Sequence, residues 1–166
     1  MIRDMQPMGH FDLNHLCSIH RFIFGDIYKW AGELRCGEFL AKGNSIFCRG
    51  QYLKENAAAI FNKLSQENYL KNLEKEKFIE LIAFYMGEVN ALHPFREGNG
   101  RTAREFFRQL LLNADYILDF GTVDKEQLLI ADINAFNGKY APLMKILDET
   151  LYELTAENIK VPEGKG

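Results

Sequence analysis

Phe78-Ile79-Glu80-Leu81-Ile82-Ala83-Phe84-Tyr85-Met86-Gly87-Glu88-Val89-Asn90-Ala91-Leu92 runs without a break into His93-Pro94-Phe95-Arg96-Glu97-Gly98-Asn99-Gly100-Arg101-Thr102-Ala103-Arg104. In the first half, Phe78, Leu81, Ile82, Tyr85, Val89 and Leu92 recur at helical spacing. Ile79, Phe84 and Met86 extend the apolar surface nearly all round, which predicts a central helix over 78–92. Pro94 disfavours α geometry at His93, so the helix is expected to end there. A second helix is expected from Arg101, with Ala103, Phe106, Phe107, Leu110, Leu111 and Ala114 as its apolar stripe. The loop between them delivers backbone N–H groups to a helix N-terminus, which is a ready anion site.

The side chains of the loop suit phosphoryl chemistry. Gly98 and Gly100 let the backbone approach a phosphate closely. Arg101 and Arg104 are three apart, so they share a helix face and can both clamp phosphate oxygens. Glu97 is a hard oxygen ligand, and Mg²⁺ on nucleotide phosphates takes one or two carboxylates plus water. His93 can accept the proton of an attacking hydroxyl near neutral pH. Phe95 is expected to point inward and anchor the loop. Taken singly, each residue has an ordinary structural reading: a helix-end histidine, a solvated arginine face, a glycine turn. Taken together, the pattern should arise by chance on the order of 10⁻⁹ times per window from average residue usage.

At these residues the chain resembles the Fic family of protein AMP-transferases, whose signature His-x-Phe-x-(Asp/Glu)-Gly-Asn-Gly-Arg-x-x-Arg is met from His93 to Arg104 at every defined position. The stretch from Ile19 to Glu33 resembles the family's first helix and its exit. Lys42-Gly43-Asn44-Ser45-Ile46-Phe47 resembles its flap, a β-hairpin that docks the target segment. Asn134-Ala135-Phe136-Asn137-Gly138 resembles its later helix. The resemblance covers residues 11–154.

It implies an all-α, mainly helical Fic fold with a small β-hairpin flap. It also implies an ATP- and Mg²⁺-dependent transfer of AMP to a Tyr, Thr or Ser hydroxyl of a target protein, self-modification included. On that resemblance His93 is the base and Glu97 holds Mg²⁺. Gly98, Asn99 and Gly100 line the anion hole, and Arg101 and Arg104 contact the β- and γ-phosphates. Asn137 meets the nucleoside, and Lys42, Gly43, Asn44 and Ser45 dock the target. Only the attacked phosphorus, α and not γ, comes from the resemblance alone. Transfer of UMP, phosphocholine or phosphate, and a non-enzymatic nucleotide-binding adaptor, stand as alternatives.

The rest of the chain reads as helices joined by short loops. Asp12 suits the N-cap of a helix carrying Leu13, Leu16, Cys17, Ile23, Ile27 and Trp30. Residues 34–40 and 45–49 suit a short hairpin. Leu53, Ala57, Ile60, Phe61 and Leu64 mark a helix, and Asp124 opens another through Leu128 and Ile133. Leu143, Leu147, Leu151 and Leu154 mark a last helix, with Glu157 on it. His15 and His20 are five apart, which is not metal-ligand spacing, and structural or exposed roles are expected. Tyr140 fits either the pocket or the core. Residues 1–160 read as a single domain, and 161–166 as a disordered tail.

A chain of 166 residues with 47% hydrophobic and 26% charged residues is of ordinary globular make-up. A net charge of −3 leaves no basic footprint of a nucleic-acid binder. No apolar run reaches membrane-spanning length, and the N-terminus lacks a signal-peptide pattern. Three cysteines without metal spacing point to reduced thiols. A cytoplasmic location is expected, with export by a dedicated secretion machine left open. Many Fic proteins carry an inhibitory Ser/Thr-x-x-x-Glu-Gly/Asn helix. The nearest match here, Glu153-Leu154-Thr155-Ala156-Glu157-Asn158, has Glu in place of the hydroxyl residue. Arg104 is therefore expected to be free in this chain, with a separate antitoxin protein left open as a partner.

Overall fold

The computed structural model describes residues 7–37, 41–42 and 45–157. Six helices and two small antiparallel ribbons make up the described fold: α1 Leu13–Phe24, β1 Ala41–Lys42, β2 Ser45–Ile46, α2 Leu53–Gln66, α3 Lys75–Leu92, α4 Asn99–Asn113, β3 Tyr116–Leu118, α5 Lys125–Phe136, α6 Ala141–Thr150 and β4 Leu151–Glu153.

α3 is the axle. It packs against α2, α4, α5 and α6, as its all-round apolar surface requires, and Phe78, Ile82, Ala83 and Tyr85 along it are buried. α4 lies across α1 and α3. It buries Phe106, Phe107, Leu110 and Leu111. The capping predictions hold at both helices that carried one. Asp12 accepts from His15 N–H, and the Asp124 carboxylate accepts from Glu126 and Gln127 N–H.

Three expectations are corrected. α1 ends at Phe24 and does not run to Trp30. Gly25 and Asp26 open a run of turns, in which Ile27 and Tyr28 N–H donate to Phe24 O and Ala31 N–H to Tyr28 O. There Tyr28 and Trp30 stack on each other at 4.3 Å. The hairpin expected from 34–40 with 45–49 is displaced: the described strands pair Ala41 with Ile46 and Lys42 with Ser45, residues 34–37 form no strand, and 38–40 lie outside the described residues. Gly43 and Asn44 lie outside the described residues, as does the 161–166 tail.

The last helix stops at Thr150. Residues 151–153 turn into a strand that pairs with β3, Leu118 opposite Leu151 and Tyr116 opposite Glu153. The 143-147-151-154 leucine pattern is thus shared by a helix and a strand. Leu151 is buried in both readings, but the ladder groups of β3 offer the backbone partners that a further helical turn would not use. Glu157 consequently sits in a turn past β4, exposed, and on no helix.

Candidate active site

The site forms where α3 ends and α4 begins. His93 is the C-cap of α3 in left-handed geometry, φ 45° and ψ 62°, with its N–H on Val89 O. This geometry avoids the right-handed α region that the following proline disfavours, and it costs on the order of 1–2 kcal/mol in a non-glycine residue. A buried arginine holds it. Arg35 Nε donates to His93 O at 2.6 Å, and its Nη2 donates to Leu92 O at 3.3 Å and to Cys48 O. Arg35 N–H also donates to Pro94 O at 2.9 Å. Burial lowers the guanidinium pKa, but the last carbonyls of α3 and the helix dipole favour the cation. The same guanidinium therefore ties the segment that leaves the flap, at Cys48, to the end of α3, and Cys48 N–H donates to Ala91 O. Phe47 lies face-on over the His93 imidazole, centroids 3.8 Å apart and planes within 13°.

The loop is braced from inside. Phe95 is fully buried, as expected. Asn99 Oδ1 accepts from Phe95 N–H and its Nδ2 donates to Phe95 O. The amide side chain thereby braces the loop backbone at both of its ends. Thr102 Oγ1 donates to Gly98 O at 2.8 Å. The two glycines differ. Gly98 has φ +80°, and a Cβ there would lie 2.3 Å from the Phe24 ring. Gly100 has ordinary dihedrals, and a Cβ there would meet nothing nearer than Arg104 Nη1 at 3.4 Å. The protein needs glycine at 98. At 100 it only keeps the outer side of the helix N-terminus open.

Outside lie the groups that could meet a ligand. A cavity of about 550 Å³ is lined by His93, Arg96, Glu97, Gly98, Gly100 and Arg101, with Phe24, Ile27, Tyr28, Phe47 and Asn99 completing the wall. A second, of about 510 Å³, lies on the α5 side. His93, Phe47, Asn99 and Gly100 line both. The second is walled by Val89, Leu129, Ile133 and Phe136, and its polar groups include Asn90, Arg104 and Asp132. Burial pushes the Asp132 carboxyl up to about 6, and Arg104 opposes that rise. Among the described residues neither Arg101 nor Arg104 forms an ion pair.

The structure thus brings His93, Glu97, Gly98, Asn99, Gly100, Arg101 and Arg104 together. It places Asn137 at the edge: this residue caps α5, one beyond Phe136, and its Nδ2 donates to Ile133 O at 2.8 Å. Lys42 and Ser45 face each other across the flap ladder. Tyr140 packs against Phe84. His15 and His20 are buried and hydrogen-bonded, as a structural role requires. Arg35, Phe47 and Asp132 carry no sequence signal strong enough to single them out; each acquires its place only through tertiary packing. Among the described residues no group of three or more His, Cys, Asp or Glu is poised around a metal, and no helix is long and apolar enough to cross a membrane. Glu97 alone suits a Mg²⁺ ion whose other ligands are phosphates and water.

Comparison with known proteins agrees with this geometry. Residues 10–111 match the model of the Fic/DOC family. The chain is 39% identical over 158 residues to the protein adenylyltransferase VbhT of Bartonella schoenbuchensis, covering 95% of this chain and 33% of that protein. It is 38% identical over 142 residues to the probable protein adenylyltransferase y4lH of Sinorhizobium fredii, covering 85% of this chain and 73% of that protein. The chain therefore spans a third of one relative and about seven tenths of the other. Among solved structures, the N-terminal Fic domain of a Bartonella quintana effector with bound ADP superposes with a TM-score of 0.85 at 26% identity, over 92% of this chain and 78% of that one.

Proposed function

The chain belongs to the Fic/DOC family, and on that premise we propose that it is a protein adenylyltransferase, moving the AMP of ATP onto a Tyr, Thr or Ser hydroxyl of a target protein. One observation carries this reading: His93, Glu97 and the open N-terminus of α4 converge on a single cavity. The nucleotide's phosphates run along Gly98–Gly100, with Arg101 on the β- and γ-phosphates and Arg104 at the γ end. The adenine ring occupies the cavity beside α5, and Asn137 meets the nucleoside at its edge. Mg²⁺ on Glu97 supplies neutralisation of phosphate charge when bound.

The target hydroxyl attacks the α-phosphorus and gives its proton to His93. The new O–P bond forms as the bond from the α-phosphorus to the bridging oxygen of the β-phosphate breaks, and pyrophosphate leaves. The protein's part is positioning and charge stabilisation, which is what phosphoryl transfer needs. Phe47 and Arg35 hold the base and its helix end, and the flap that Arg35 anchors presents the target backbone. An exposed Arg104 also admits an acidic group from a separate inhibitory protein. The reading places this chain in the cytoplasm, of its own cell or of another into which a secretion system delivers it.

ATP labelled on the α-phosphorus should label protein, and ATP labelled on the γ-phosphorus should not. His93→Ala should lower α-label transfer by about 10²–10⁴-fold while ATP still binds. A γ-label on protein that requires His93 would move the chain to a kinase reading, and transfer by His93→Ala at the wild-type rate would remove the base assignment.

A further inference from the structure

We propose that His20 is a positioning residue: as the neutral Nε2–H tautomer it fixes the Glu97–Gly98 peptide so that the Gly98 N–H faces the phosphates of the nucleotide. The ring is fully buried. Its Nδ1 lies 2.8 Å from Gly32 N. A backbone amide only donates, so Nδ1 carries the lone pair. The one ring proton of the neutral imidazole is then on Nε2, which lies 2.9 Å from Glu97 O. A carbonyl only accepts, so that bond runs from Nε2–H to oxygen. Both directions are set by groups that cannot reverse.

Glu97 C=O and Gly98 N–H belong to one planar trans peptide, and the described backbone has no cis bonds. Because the oxygen is drawn inward to His20, the N–H is directed the opposite way, on the side where Glu97 and Gly98 line the cavity. Released, this peptide can rotate and turn its oxygen toward the anion, which replaces a donor by an acceptor. The ring is also wedged in place. It stacks on Phe95 at 3.9 Å and 20° and touches Phe24 at 4.8 Å, the ring that closes on Gly98. The inference rests on the proposal that ATP's phosphates occupy this helix N-terminus.

The test compares two amides by calorimetry with ATP and with adenosine. His20→Gln places an amide N–H near Nε2 and keeps a donor for Glu97 O. His20→Asn places its amide near Nδ1 and loses that donor. His20→Asn should bind ATP about tenfold more weakly, the effect of one lost hydrogen bond, with adenosine affinity unchanged. His20→Gln should recover most of that loss. Equal ATP affinity in His20→Asn and wild type, or equal losses for ATP and adenosine, would overturn the proposal. If wild type bound adenosine and ATP equally, the phosphate site itself would fall, and this inference with it. Should the variants not fold, ¹⁵N NMR of the wild-type imidazole decides: an Nε2–H tautomer at neutral pH is expected, and an Nδ1–H tautomer or an imidazolium would overturn the role.

Discussion

Two helix ends meet within seven residues at the centre of this molecule, and the protein treats them in opposite ways. The C-terminus of α3 is closed. Its last carbonyls face a buried guanidinium, and Arg35 supplies the positive charge that the negative end of a helix favours. The N-terminus of α4 carries the complementary need, a negative charge, yet no side chain caps it and its first turn holds no acidic residue. In its place stand Gly100 and two arginines, which deepen the positive potential. A helix end that serves only the fold is completed from within. One left without a side-chain cap, with Arg101 and Arg104 beside it, is open to an anionic ligand.

The largest break in this contrast is expected at the arginines. Arg35→Ala leaves three carbonyls, that of Leu92 buried and those of His93 and Cys48 part-buried, without their donor, and should lower the unfolding free energy by about 3 kcal/mol, read by urea denaturation. Arg101→Ala should change stability by no more than about 0.5 kcal/mol, because the side chain is exposed and holds nothing in the fold. Its loss should appear only as weaker ATP binding. Comparable destabilisation by the two changes would erase the distinction between a closed and an open helix end.

The two glycines sharpen the contrast within α4 itself. Gly98→Ala must adopt φ near +80° and displace the buried Phe24 ring, at a cost of about 2–4 kcal/mol. Gly100→Ala meets no backbone and gains helix propensity, so thermal unfolding should be unchanged or shifted upward by about 0.5–1 kcal/mol. Its methyl group nevertheless stands where phosphate approaches, and ATP affinity should fall. A destabilised Gly100→Ala with normal ATP affinity would mean that this glycine serves the fold.

Most of this comparison was legible in the sequence, and the part that was not has a physical cause. The open end showed itself because its groups are local: a proline after a helix, two glycines, and arginines at i and i+3. The apolar periodicity of residues 78–92 likewise decided the central helix, which begins at Lys75, three residues earlier than the apolar pattern. The closed end was illegible because its cap comes from Arg35, 58 residues from the carbonyl that it holds. No local rule distinguishes such an arginine from a solvated one. The same limit explains α6. Leucine spacing continued through Leu154, but the pairing partner of 151–153 lies at 116–118, and tertiary pairing outweighed propensity.

A smaller effect is expected at Asp132, which shares its cavity with Arg104. Its folded pKa of about 6 lies above the ordinary value of 3.8, because burial disfavours the carboxylate. A raised carboxyl pKa means that the folded state holds the proton more tightly than the unfolded one. Stability from this group is therefore full below pH 3.8 and is lost as pH rises through about 6. Asp132→Asn should consequently stabilise the protein at pH 7.5 by on the order of 1–2 kcal/mol, with the gain shrinking toward pH 4. Thermal melts across that range read the difference. A gain independent of pH would assign the effect to packing and not to charge.

The smallest effect is expected at Glu157, and there the absence of a change is the informative result. An inhibitory glutamate works by reaching the arginine that would otherwise hold the γ-phosphate, and it needs a helix to aim it. Here α6 ends at Thr150, the chain turns into β4, and Glu157 is exposed in the turn beyond. Among the described residues it forms no ion pair with Arg104. An exposed carboxylate far along the chain from a partner gains about 1 kcal/mol or less from any passing encounter. Glu157→Gly should therefore leave ATP affinity and the rate of α-label transfer within about twofold, the range left by so weak an interaction. A gain of tenfold or more in transfer would show that this carboxylate does reach the open end of α4, and that the end is completed from within after all.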